Sequence, residues 1–117
     1  MGQHYIIEDS GQREEMETGA VRDTQTGKGR FDLISPHGLR RLAKHYEAGA
    51  DKYTERNWEK GIFASRCFSS CVRHLFQWIA GERTEDHLAA AAWNIFAIMH
   101  YEECLQEMID TPKGEKK

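Results

Sequence analysis

The stretch GERTEDHLAAAAWN, Gly81 to Asn94, decides the fold. Glycine suits the position just past a helix end. Thr84 suits an N-cap, and Glu85 and Asp86 favour the positive end of a helix dipole. Four alanines then lead to Trp93 and Asn94. The pattern therefore predicts one helix closing before Gly81 and another opening at Thr84. His87 and Asn94 are seven residues apart, so two turns bring them to one face. Ala90 and Ala91 lie between them, small enough to let another group approach. The pair would border a slot with an alanine floor.

Working back from Gly81, a helix is expected from about Ala64 to Ala80. Phe68, Cys71, Val72, Leu75, Phe76 and Ile79 form its apolar face, with Arg73, His74 and Gln77 beside it. Working forward, the third helix runs through Leu88, Ala91, Ala92, Ile95, Ile98, Met99 and Leu105 to about Ile109. A first helix opens at Ser35-Pro36, a good N-cap followed by a good first helical residue. Leu39, Leu42, Ala43, Tyr46, Ala50 and Tyr53 recur along it at helical spacing, and Glu47 and Asp51 flank that stripe. TERNWEKGIF, Thr54 to Phe63, breaks the pattern as a loop. Trp58 within it needs a packing partner, either the core or a flat ligand.

No segment alternates as a strand. Residues 1 to about 34 read as an irregular arm. Within it GAVRDTQTGKGRFDLISP, Gly19 to Pro36, sets Arg22, Lys28 and Arg30 among glycines, a composition suited to approaching an anion. It lacks Walker spacing. The expected fold is all-α: three main helices in a bundle, with the arm at 1–18, one domain at 19–110 and a polar tail at 111–117.

At 117 residues the chain is long enough for one domain. A net charge of −3 with both signs interspersed argues against a nucleic-acid surface. Three cysteines, an odd number, argue against a disulfide framework and for a reducing compartment. No signal-peptide core and no run of transmembrane length is present, so a cytoplasmic location is expected.

If the second and third helices pack antiparallel, His74 and Gln77 face the third helix and Glu47 can join from the first. Glu47, His74, Asp86, His87 and Asn94 would then meet in an inter-helix cleft, a common place for ligand sites in bundles. Taken singly, Glu85 and Asp86 also read as capping residues, and His74 as a satisfied core histidine. The residues alone define a polar cleft and no named reaction.

Four blocks carry a resemblance: GAVRDTQTGKGRFDLISP, YEAGADKYTERNWEKG (Tyr46–Gly61), RHLFQWIAGE (Arg73–Glu82) and DHLAAAAWN (Asp86–Asn94). In this order they resemble the phage-type dATP/dGTP diphosphohydrolase domain, related to the MazG-like all-α nucleoside triphosphate pyrophosphohydrolases. The resemblance implies cleavage of a purine deoxynucleoside triphosphate to monophosphate and pyrophosphate with Mg²⁺ or Mn²⁺. It also implies a bundle that completes its site by self-association, as a dimer or tetramer, in the cytoplasm of a phage-infected host. On that reading Glu47, Glu82 and Asp86 hold the metal or orient the attacking water. His74, His87 and Asn94 hold the water, a phosphate oxygen or the ligands. Lys28, Arg30, Lys52, Arg56 and Arg73 counter the triphosphate charge. Tyr53, Asn57 and Trp58 take the base and sugar. The better-known MazG relatives carry ExxE on one helix and ExxD on the next. Here His74-x-x-Gln77 and Ala91-x-x-Asn94 stand instead, which keeps a nucleotide sensor and a helical adaptor open as alternatives.

Overall fold

A computed structural model describes residues 5–112. Residues 1–4 and 113–117, the start of the expected arm and most of the expected tail, lie outside them. The chain divides at Ile34 and Ser35 into two compact units.

The first unit corrects the expectation that no strand is present. β1 (Arg13–Glu15) pairs antiparallel with β2 (Val21–Asp23), with Arg13 opposite Asp23 and Glu15 opposite Val21. Residue 18, the expected arm boundary, lies between the two strands. Polar groups hold the hairpin. Asp23 accepts from Ser10 and pairs with Arg13 and Lys28. The Thr24 hydroxyl, buried here, donates to Glu14 at 2.9 Å.

The second unit is the helical bundle. α1 (Pro36–Lys52) starts as expected: the Ser35 hydroxyl accepts from the Gly38 N–H, and Pro36 fills the first position. α2 spans Ala64–Ile79 and α3 spans His87–Cys104. α3 begins three residues later than the sequence pattern suggests, because Asp86 and not Thr84 is the N-cap, its carboxylate accepting from the Ala89 N–H. It ends at Cys104, short of Ile109, and a single 3-10 turn at Gln106–Met108 follows.

α2 is rotated relative to expectation. Ala64, Cys67, Cys71 and His74 are its buried residues. Phe68, Phe76 and Ile79, expected to face the core, are 62%, 69% and 71% exposed. At 3.6 residues per turn the two stripes lie roughly 100° apart. The reason is steric. α3 packs extensively on α2, and its buried residues include Ala89, Ala90, Ala91 and Ala97. Small residues on both helices allow a close approach that phenylalanine would prevent.

α3 is the hub: α2 and α1 both pack on it, while α1 and α2 scarcely touch. The densest core is Cys67, Ala97 and Tyr101, with Trp58, Trp93, Leu105 and Met108 packed against it. After α3 the chain folds back to the start of α2. There the Asp110 carboxylate accepts from the Ser65 N–H at 2.9 Å and from its hydroxyl at 2.6 Å. α2 has no side-chain cap of its own, so this distant acid satisfies its first turn and complements its dipole.

Candidate functional site

Because α1 and α2 both lean on α3 and not on each other, a cleft of about 1080 Å³ opens between them. The C-terminal half of α1 and the loop after it form one wall, and the first half of α2 forms the other. Trp93 and Asn94 of α3 lie at its floor.

Its charge is distinctive. Lys52, Arg66 and Arg73 line the cleft. None of the three makes an ion pair among the described residues; Arg73 instead bonds neutral Gln77 and Ser70. Glu47, Glu55 and Glu85 line the cleft as well, but a cation outside an ion pair leaves its charge available to an anion. Arg56 also lines the cleft, paired with Glu59. Its φ of 59° is left-handed, a conformation that costs a non-glycine residue energy and is found at ligand-contacting loops.

The loop adds aromatic and amide groups. Tyr53, Asn57 and Trp58 all border the cleft. Trp58 finds the first of the two partners its sequence context raises, the core. It packs on the core, its ring 4.8 Å from His100 and 6.1 Å from Tyr46, edge to face, and it still faces the cleft.

At the α3 end of the cleft His74 meets His87. Their Nδ1 atoms are 3.0 Å apart, and both side chains are buried. Glu85 Oε1 lies 3.5 Å from His74 Nδ1 and 3.7 Å from His87 Nδ1. Burial lowers the His74 pKa from its ordinary value and keeps the ring neutral. Asn94 is buried as well, its amide donating to the Ala90 carbonyl at 2.9 Å.

Most residues singled out from sequence therefore border one cavity: Glu47, Lys52, Tyr53, Arg56, Asn57, Trp58, Arg73, His74 and Asn94. His87 reaches it through His74. Asp86 does not line the cleft. Both its oxygens are engaged by Arg41, at 2.7 and 2.8 Å, besides capping α3. The Arg41 guanidinium holds its carboxyl down at about 2. It borders a separate hollow with Arg83 and Trp78. Glu82 is exposed, 3.9 Å from His87 Nε2. Lys28 and Arg30 belong to the hairpin unit, where they pair with Asp23 and Asp32.

Two residues at the site escaped the sequence reading. Arg66 was legible: Arg66, Ser70, Arg73 and Gln77 recur on one helix face. Glu85 reads from sequence as a capping residue; in the structure Asp86 caps α3 and Glu85 lies beside His74 and His87. The three acids expected to hold metal, Glu47, Glu82 and Asp86, do not converge. Among the described residues the one group of three metal-capable side chains is His74, Glu85 and His87. Two imidazole nitrogens and one carboxylate do not match the all-oxygen preference of Mg²⁺. Cys67 and Cys71 are free and buried, with their thiol pKa values raised by burial, and they take no part in the group.

The cleft of this all-α bundle thus combines cations that form no ion pair among the described residues with an aromatic loop. Residues 18–111 match the family described as dATP/dGTP diphosphohydrolase, N-terminal, and the chain belongs to that family. No curated protein and no solved structure matches it. No described helix is long and apolar enough to cross a membrane.

Proposed function

We propose that the cleft binds a purine deoxynucleoside triphosphate as its magnesium complex and hydrolyses it to the monophosphate and pyrophosphate. The observation that carries this reading is the set of three cations, Lys52, Arg66 and Arg73, that form no ion pair among the described residues and stand beside Trp58 and Asn57 in one cleft. Arginine forks and lysine ammonium groups suit phosphate oxygens. Tyr53 and Trp58 offer flat apolar surface to the base, and Asn57 can both donate to and accept from it.

Water attacks the α-phosphorus. The bond from that phosphorus to the oxygen bridging to the β-phosphate breaks, and pyrophosphate leaves with the electron pair. The cations neutralise the leaving group. Glu47, a carboxylate on the cleft wall, is assigned to orient the water and accept its proton. Mg²⁺, or Mn²⁺, enters with the triphosphate, since the clustered side chains do not suit magnesium.

The bundle is assigned to act as a homo-oligomer, because α2 leaves Phe68, Leu75, Phe76 and Ile79 exposed along one face. Action on the nucleotide pool places it in the cytoplasm of a phage-infected cell. The test is incubation of the purified protein with each deoxynucleotide and Mg²⁺. Pyrophosphate and the monophosphate are expected from dATP or dGTP. A folded protein that releases none from any purine nucleotide overturns the reading.

A second reading, a nucleotide sensor, has its own support: His74-x-x-Gln77 and Ala91-x-x-Asn94 place no carboxylate where the better-known MazG relatives have them. Nucleotide-dependent thermal stabilisation without product would establish it.

A further inference from the structure

We infer that His74, Glu85 and His87 form a binding site for a borderline transition-metal ion of the Zn²⁺, Co²⁺ or Ni²⁺ class, distinct from the magnesium that accompanies a nucleotide. Three observations converge on it.

The first is spacing. A metal bound at about 2.1 Å by two nitrogens sets them about 3.0 Å apart at right angles, or about 3.4 Å apart in a tetrahedron. His74 Nδ1 and His87 Nδ1 are 3.0 Å apart, and Glu85 Oε1 closes the triangle at 3.5 and 3.7 Å. The three donors already lie along the edges of a coordination polyhedron.

The second is the tautomer. A ring ligating through Nδ1 carries its proton on Nε2, and ligating histidines donate that proton to a carboxylate or carbonyl. His87 Nε2 is buried and has no hydrogen-bond partner among the described residues. Its residue is only 3% exposed. The nearest acid, Glu82, is 3.9 Å away on the exposed turn, so a small side-chain movement completes the bond. A histidine pair held together only by its own hydrogen bond gives no use for that second nitrogen.

The third is chemistry and access. An imidazole, imidazole, carboxylate set favours zinc-like ions over magnesium. His74 and Glu85 border the main cleft, while Glu85 and His87 border the second hollow of about 360 Å³. The site thus forms the partition between the two and has an open side for water or a further ligand.

The test uses the full chain stripped with a chelator and titrated with Co²⁺ alone, followed by visible d–d absorption. One equivalent is expected to give a spectrum, which Zn²⁺ abolishes and 10 mM Mg²⁺ leaves unchanged. Glu85→Gln, at an exposed side chain, is expected to weaken Co²⁺ binding about 10-fold or more, and Glu82→Gln by a smaller factor. His74→Asn is expected to abolish the spectrum. Absence of any spectrum in folded protein overturns the inference, as does displacement by Mg²⁺. A spectrum unchanged in Glu85→Gln, which does not depend on a histidine variant folding, overturns it as well. None of these readouts needs nucleotide turnover, so loss of the hydrolase reading leaves the metal result standing.

Discussion

The Tyr101 hydroxyl, on a side chain with no exposed surface, donates a 2.6 Å hydrogen bond to the Trp58 carbonyl. This bond ties the last turn of α3 to the loop that borders the cleft, 43 residues earlier in the chain. Tyr101→Phe keeps the ring and removes the donor, leaving the carbonyl without its partner. A cost of about 1–3 kcal/mol is expected, read by denaturant unfolding. Nucleotide affinity is expected to fall as well, because Trp58 loses its anchor. Unchanged stability would show that water replaces the hydroxyl.

Gly61 closes the same loop. Its φ is 110°, a conformation that L side chains rarely adopt. An added Cβ would lie 2.8 Å from Met108 Sδ and 3.0 Å from Leu105 Cδ2. Gly61→Ala is therefore expected to destabilise by about 1–3 kcal/mol, through backbone strain and crowding together. Thermal unfolding measures it. The more flexible Met108→Ala in the same background should recover part of the loss if crowding contributes, and none if strain alone does.

These contacts explain what the sequence could and could not disclose. Ser35-Pro36 named the start of α1 because cap and proline act locally. Of the residues that helical spacing brought to one cleft, Glu47, His74 and Asn94 line it and Asp86 does not. The rotation of α2 was not legible. Periodicity gives weight to large side chains, and here Phe68, Phe76 and Ile79 point outward while alanine and cysteine make the close packing. The hairpin was missed because its strands are three residues each and held by Asp9, Ser10, Asp23 and Arg13 rather than by apolar alternation. The engagement of Asp86 was not legible, because only the fold brings Arg41, 45 positions away, to it.

That last pairing is measurable. Asp86 both caps α3 and binds Arg41. Asp86→Ala should cost about 1 kcal/mol from the cap, with a smaller addition from an ion pair open to solvent. Asp86→Ser keeps an oxygen for the Ala89 N–H and should recover most of it. The Asp86 carboxyl lies lower in the folded chain, at about 2, than its ordinary 3.8. The unfolded chain therefore binds the proton more readily. The stabilisation is complete above about pH 4 and is lost as pH falls towards 2. Stability curves of wild type and Asp86→Ser should converge across that interval; parallel curves would remove the ion pair from the account.

The cleft cations separate nucleotide binding from fold. Arg66 and Arg73 make no ion pair among the described residues, and Arg73 bonds only neutral Gln77 and Ser70 there, so removing either should leave unfolding midpoints nearly unchanged. Each loss should weaken dATP or dGTP binding about 10-fold, the worth of a charge-assisted phosphate contact. Isothermal titration at two salt concentrations gives the check. Wild-type affinity should fall with salt, and Arg66→Ala should fall less steeply. Equal slopes would mean that Arg66 does not face the triphosphate.

The exposed face of α2 gives the last expectation. Phe68, Leu75, Phe76 and Ile79 follow one another at helical spacing and remain open to solvent. A contiguous apolar surface of this kind on a small domain is ordinarily covered by a partner, and a second copy of the chain offers the same stripe back, as a two-fold interface requires. Phe76→Glu places a charge in the middle of the stripe without touching the buried Cys67, Cys71 and His74. Sedimentation should show wild type as a dimer or larger and Phe76→Glu as a monomer, with helical content retained. If turnover falls with the loss of the dimer while added nucleotide still binds, the partner copy completes catalysis rather than binding. A wild type that sediments as a monomer at every concentration removes self-association from the proposal and leaves the cleft to act alone.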